Sequence, residues 1–191
     1  PACLSLCQDV QGETFDYPEE FFNEKIHTIR RPRPDDYQIK QAADLIKKSK
    51  NPIIISGGGI FYSDAMKELS QFAKKHNIPT AQTVMGYSTM KKDDPYFLGA
   101  IGGFGGKAPN DFMKKTDLAI AIGTKLADFT TGSWTNFENP NFKLVSINVS
   151  RFDANKHMAQ SIIGDAKVCI QDLTVALGSW KASDDWYKKS R

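Results

Sequence analysis

Residues able to do chemistry gather in this sequence where short apolar runs stop. Ile53-Ile54-Ile55 gives way to Ser56 and then to Gly57, Gly58 and Gly59. A run near Thr80 leads to Thr83 and Val84. Leu118–Ile122 stops at Gly123, followed by Thr124, Lys125 and Asp128. Lys143–Val149 carries Asn148 near its end, and Ser161–Ile163 stops at Gly164-Asp165. Eight of the 14 glycines fall within 57–59 and 99–106. Glycine after a strand lets the backbone approach a ligand or take positive φ. The chemistry such residues offer is binding, with backbone N–H groups at Gly57, Gly58 and Gly59 turned to phosphate oxygens. Thr83, Val84, Gly123, Lys125, Asp128 and Asp165 would line the rest of one crevice beyond the strand ends. The competing reading gives these residues to tight strand-to-helix turns and to no ligand.

Bond-making chemistry has no such support. Gly57–Tyr62 holds two positions of G-x-G-x-x-G but has Tyr62 at the third. Gly103–Ala108 satisfies G-x-G-x-x-A, with Asp128 some twenty residues on, yet no clear strand precedes it, so the match reads as chance in a loop. A P-loop fails at Ile101 and Ala108. His27, His76 and His157 are scattered without H-E-x-x-H spacing, and G-x-S-x-G is absent. His76 closes a predicted helix, where it would answer the dipole. Acid pairs such as Glu19-Glu20 and Asp93-Asp94 lie beside prolines in loops. No catalytic residue and no metal ligand is expected in this chain.

The elements that position the strand ends follow from pattern. Asp35-Asp36 opens a helix whose face is Ile39, Ala42, Ala43 and Ile46. Tyr62, Ala65, Met66, Leu69, Phe72 and Ala73 mark a second, with Ser63 as its N-cap. Pro109 suits the first turn of a third. Cys169, Leu173, Ala176, Leu177 and Trp180 mark the last. Strands alternating with helices indicate α/β architecture: a Rossmann-like parallel sheet of about six strands with helices on both faces. The chain has 191 residues, 40% hydrophobic and 25% charged, which suits one globular domain with an extra arm. A net charge of +3 gives no argument for nucleic acid. No apolar run has the ~18 residues of a membrane span. The three cysteines lack C-x-x-C spacing and read as reduced thiols of a cytoplasmic protein. Ala2–Leu6 reads as a strand without a partner, so residues 1–34 are expected to be the end of a preceding domain plus a linker. Residues 35–182 would be the central domain, and the polar residues 183–191 the start of a following linker. Thr130–Trp134 reads as a loop that leaves Trp134 at least partly exposed.

In their order along the chain, the strand-end pieces resemble a known family. These are Ile53–Gly59, Ile78–Thr83, Asp94-Pro95 with Leu98-Gly99, Ala119–Lys125, Ile147-Asn148-Val149, and Gly164-Asp165-Ala166-Lys167. Together they resemble the central domain of thiamine diphosphate-dependent enzymes over roughly residues 35–180. Three stretches, Asp16–Phe22, Asp128–Trp134, and Asn148 through Ala154 with Lys156-His157, resemble the branch of that family which opens a cyclic 1,2-diketone in inositol catabolism. The resemblance implies a structural role between two catalytic domains of the same polypeptide, in a homo-oligomeric parent. It implies thiamine diphosphate and Mg²⁺ in the parent, neither bound by this chain alone. The family's Gly-Asp-Gly motif is absent here, since Ala166 follows Gly164-Asp165. Some relatives hold FAD or ADP at these strand ends, which is the alternative expectation. Asn148 and Lys125, where such relatives carry Asp and Arg, argue against it.

Overall fold

A computed structural model describes residues 3–191. The chain divides into two units, Pro1–Arg30 and Arg31–Arg191. In the first, helix α1 (Gln8–Gln11) and a 3-10 turn (Glu19–Phe22) are the regular structure, and no described residue is buried. Phe15, Tyr17, Phe21 and Phe22 pack on one another with centroids 5.0–5.4 Å apart along the series Phe15–Tyr17, Tyr17–Phe21 and Phe21–Phe22. The expected strand at Ala2–Leu6 does not form over Cys3–Leu6, and no strand among the described residues pairs with that stretch; Ala2 lies outside the described residues.

The second unit is a six-stranded parallel sheet with helices around it. The strands are β1 (Pro52–Ser56), β2 (Thr80–Gln82), β3 (Phe97–Ala100), β4 (Leu118–Ile122), β5 (Lys143–Asn148) and β6 (Gln160–Ile163), in the order β3-β2-β1-β4-β5-β6. All five pairings are parallel. β1 and β4 are the central pair, in register from Pro52↔Leu118 to Ser56↔Ile122, and every residue of both is buried. Strands covered on two faces need unbroken apolar sequence, which Ile53–Ile55 and Leu118–Ile122 supply.

Helix α2 (Asp36–Lys48) begins where the Asp35 carboxylate accepts from the Tyr37 and Gln38 amides, and it buries Ile39, Ala42, Ala43 and Ile46. The second expected helix is in fact two, α3 (Gly58–Tyr62) and α4 (Met66–His76). Asp64 takes φ +51° and the Ala65 amide donates to Ile60 O, so Ser63 closes α3 instead of capping α4. Helices α5 (Lys107–Met113), α6 (Asp128–Thr131) and α7 (Arg151–Ala154) follow strands β3, β4 and β5. Helix α8 (Ala166–Leu177) stops at Gly178, φ +61°, before Trp180.

Two segments expected to be linker belong to this unit. Arg31 donates to Ser63 O at 2.7 Å and to Asp165 Oδ2 at 3.0 Å, and the Asp165 amide donates to Pro32 O. At the other terminus, α9 (Asp184–Lys189) buries Trp186, which stacks on Phe112 at 4.2 Å and donates Nε1–H to Pro52 O at 2.8 Å. A polar tail is thus pinned by its one large apolar side chain.

His76 does not answer the helix dipole. It is fully buried, Nδ1–H donates to Trp180 O at 2.7 Å, and Nε2 has no partner. Burial, with Lys75 and Lys181 nearby, holds its pKa below the usual imidazole value. The three cysteines are free thiols; Cys3 and Cys7 are exposed, and burial pushes the Cys169 thiol up to about 12.

Candidate functional site

Parallel topology carries the ends of β1, β2, β4 and β5 to one side, and the candidate residues stand there. Gly57, Gly58 and Gly59 start α3, and Gly123 follows β4. A Cβ on Gly57 would lie 2.4 Å from Gly123 O, and one on Gly59 would lie 2.5 Å from Gly123 Cα. Gly123 itself has φ +64°. The glycines are required because two turns of the same chain touch. Three of these amides are bonded within the chain: Gly59 N–H donates to Gly123 O across the two turns, while Gly57 N–H to Ile122 O and Gly123 N–H to Ile147 O continue the strand ladders, at 2.8–2.9 Å.

The β2 end joins the same turn. Thr83 N–H donates to Ser56 O, and Thr83 Oγ1 accepts from the Gly86 amide. Val84, next to it, is half exposed. Lys125 and Asp128, beyond β4, are both exposed. Asn148 ties the β5 end to the β4 turn, donating Nδ2–H to Thr124 O at 3.3 Å while Oδ1 accepts from Ser150 N–H.

Asp165 follows β6 but is committed elsewhere. Oδ1 accepts from the Lys167 and Val168 amides as the α8 cap, and Oδ2 accepts from Arg31 and from Ser63 Oγ at 2.9 Å. A carboxylate so occupied has no lone pair free for a ribose hydroxyl.

The loop between β3 and α5 was expected to lack a preceding strand. It has one, β3, so Gly103–Ala108 stands in strand–loop–helix context. Four of its glycine amides are nonetheless bonded within the chain. Gly102 N–H donates to Asn110 Oδ1, Gly103 N–H to Phe129 O at 2.7 Å, Gly105 N–H to Gly102 O and Gly106 N–H to Ala100 O. Gly102, φ +88°, could carry no Cβ, which would lie 1.9 Å from Phe129 O.

Periodicity gave no sign of two contacts that complete this rim. Phe104 stacks on Phe129, centroids 5.5 Å apart and planes 14° apart. Trp134 packs on His157 at 4.1 Å and on Phe137 at 4.9 Å, and is half-buried. Leu126, Ser133, Trp134, His157 and Met158 all have positive φ. Lys156 bonds Asp153 at 2.7 Å and holds that carboxyl below its usual range, with Ser150 and Lys125 assisting. Burial and the neighbouring Lys156 lower His157, against the pull of Asp128.

The donors of this rim do not fit a magnesium diphosphate. Asp153 and Asp165 are engaged, and among the described residues no group of three His, Cys, Asp or Glu side chains could hold a metal ion. Of the three glycine amides that would meet a phosphate, those of Gly57 and Gly59 are already bonded within the chain.

Residues 39–173, which run from α2 to α8 and hold all six strands, match the family described as thiamine pyrophosphate enzyme, central domain. The chain belongs to that family. It is 46% identical over 175 residues, 92% of its length, to a Clostridium perfringens protein named 3D-(3,5/4)-trihydroxycyclohexane-1,2-dione hydrolase. A Clostridium botulinum protein of that name is 46% identical over 90% of the chain. A Bacillus cereus protein named 3D-(3,5/4)-trihydroxycyclohexane-1,2-dione hydrolase 1 is 43% identical over 89% of it. The chain spans 26–27% of the length of these relatives. Among the described residues, no helix is long and apolar enough to cross a membrane.

Proposed function

We propose that this chain is the central domain of a thiamine diphosphate-dependent polypeptide that opens 3D-trihydroxycyclohexane-1,2-dione by C–C hydrolysis in inositol degradation. The observation that carries the reading is identity of 46% across 92% of the chain to a protein so named. In this reading residues 1–30 end a preceding domain and its linker, and 31–191, α9 included, form the central domain. Thiamine diphosphate supplies an electron sink for C–C cleavage, and it and Mg²⁺ are held by the N- and C-terminal domains of the same polypeptide. This chain's residues add no acid, base or nucleophile, and the parent is a cytoplasmic homo-oligomer. The role of Gly57–Gly59, Thr83, Val84, Gly123, Lys125, Asp128 and Asp165 is to shape the strand-end rim. Against FAD or ADP in that rim stand the engaged amides and the engaged Asp165.

The test is conversion of the cyclic diketone by the full-length polypeptide with thiamine diphosphate and Mg²⁺, with no flavin and no oxidant. The 191 residues alone are expected to give no turnover and no saturable heat with thiamine diphosphate. Decarboxylation of a 2-keto acid with the diketone left intact would defeat the substrate assignment.

A further inference from the structure

Residues 178–191 form a strap that leaves α8 and returns to the end of α4, where one buried titratable ring holds it. The bonds come from two neighbouring residues. His76 Nδ1–H donates to Trp180 O at 2.7 Å, and His76 O accepts from the Ala182 amide at 2.9 Å. Asn77 Nδ2–H donates to Ala182 O and to Asp184 Oδ1, each at 3.1 Å. The His76 ring is fully buried, 4.8 Å from the Phe72 ring and 6.3 Å from the Trp180 indole. Farther along, Trp186 seats α9 on Phe112 and Pro52, and the Tyr187 hydroxyl donates to Pro95 O. The strap starts at Gly178, φ +61° and ψ −119°, a backbone state that glycine alone takes readily. A Cβ there would meet nothing within 4 Å, so this glycine serves the bend and not the packing.

The site cannot hold a second proton on the ring. Nε2 is buried and has no partner. Protonation would therefore put an N–H without an acceptor, and a full charge, where water does not reach. The charged groups that bear on the ring oppose it further: Lys75 of α4 and Lys181 of the strap are both cations. Carboxylates of the packed elements are taken, Asp172 of α8 by Arg33 and Asp184 of the strap by Asn77. Trp180 both accepts from the ring and packs over it, so water comes to the ring when the strap lifts.

We propose that His76 is an acid-sensitive latch: with the ring neutral the strap 178–191 is closed, and a proton on the ring opens it about Gly178 while the sheet stays folded. Opening uncovers Phe112 and the start of β1, so mild acid exposes apolar surface at the amino end of the sheet. The closed state keeps the imidazole pKa below its free value. The strap is therefore fully held above about pH 6.5, and its opening equilibrium grows about tenfold for each pH unit below that.

Amide hydrogen exchange of the native full-length protein between about pH 5 and 7.5 tests the latch, with peptides from 178–191 compared with peptides from β4. After correction for the pH dependence of the chemical step, opening of the strap should exceed that of β4 throughout and rise about tenfold per pH unit below about 6.5. His76→Phe keeps a ring in the site and His76→Asn keeps a donor for Trp180 O; neither side chain titrates, so strap opening should become independent of pH. A strap that exchanges no faster than β4 opens only with the whole domain and overturns the latch. So does a pH slope that survives both substitutions. If neither variant folds, the wild type still decides, because deuterium exchange at the ring C2 carbon titrates His76 by itself. Its midpoint must fall below about 6.5, with strap exchange rising as the pH drops towards it; a midpoint at or above 6.5 refutes the proposal. Neither measurement uses substrate or cofactor, so the outcome is independent of the proposed reaction.

Discussion

Replacing Trp186 by Ala tests whether the C-terminal helix is part of the folded domain. Trp186 is 3% exposed and stacks on Phe112, so truncation removes a core aromatic and leaves a cavity, a loss of about 3–5 kcal/mol. The Pro52 carbonyl at the start of β1 loses its Nε1–H donor in the same change. Trp186→Phe keeps most of the packing and removes only that hydrogen bond, which predicts about 0.5–1.5 kcal/mol plus the small volume difference. For a domain of this size each kcal/mol moves Tm by about 2–4 °C, so the Ala variant should melt roughly 6–20 °C lower. Urea titration of the 191-residue chain with circular dichroism gives the two differences at constant m. A loss below about 1 kcal/mol for Trp186→Ala would refute the reasoning. It would mean that α9 detaches at little cost and that residues 183–191 are linker after all.

Three further expectations follow from single side chains. His76 has a folded pKa below 6.5, so the unfolded chain binds more protons there; stability should be full above about pH 6.5 and fall as pH drops below it, and His76→Phe should flatten that limb in denaturation at pH 5–7. Gly59→Ala places a Cβ 2.5 Å from Gly123 Cα, backbone against backbone, and should cost at least the ~1–3 kcal/mol of an overpacked core; a neutral result would mean the turns are not in contact. Cys3 and Cys7 should react with a maleimide at neutral pH while Cys169, its thiol pushed up to about 12, stays unmodified until the domain unfolds; mass spectrometry of the native protein counts the adducts.

Which features the sequence disclosed follows from how local their causes are. β1 and β4 were plain because a strand buried on both faces must be apolar throughout, and Ile53–Ile55 and Leu118–Ile122 are. β3 was not, because its four residues include Gly99 at φ +109° and its pairing with β2 shifts register between Thr80 and Ala81. The break between α3 and α4 was hidden by an apolar period that runs through both, and it is made by Asp64 at positive φ. Helix α9 did leave a sign: Ser183 stands before Asp184-Asp185, with Lys188-Lys189 in the last turn, the charges a short helix favours at its two ends. Arg31 left none, since a basic, proline-broken stretch reads alike whether it is solvated or, as here, bonded to Asp165 across 134 positions.

The glycines are the instructive case at the strand ends. A residue without Cβ says that something comes close and leaves open what it is. At Gly57, Gly59 and Gly123 the close neighbour is another turn of the same chain, and at Gly102 it is the backbone of Phe129 and Thr130. Each such contact consumes amide donors that a phosphate would otherwise receive. The same contacts draw the turns after β1, β3 and β4 together and hold α3 and α6 against their neighbours. Phe61 and Phe129, carried on those two short helices, are left facing out of the chain instead of into a pocket. Where an open α/β sheet commonly takes a small ligand, exposed aromatic side chains stand here at the strand ends. A surface of that form can make area only against another large body, which is the physical reason to look for this domain's work in its contacts.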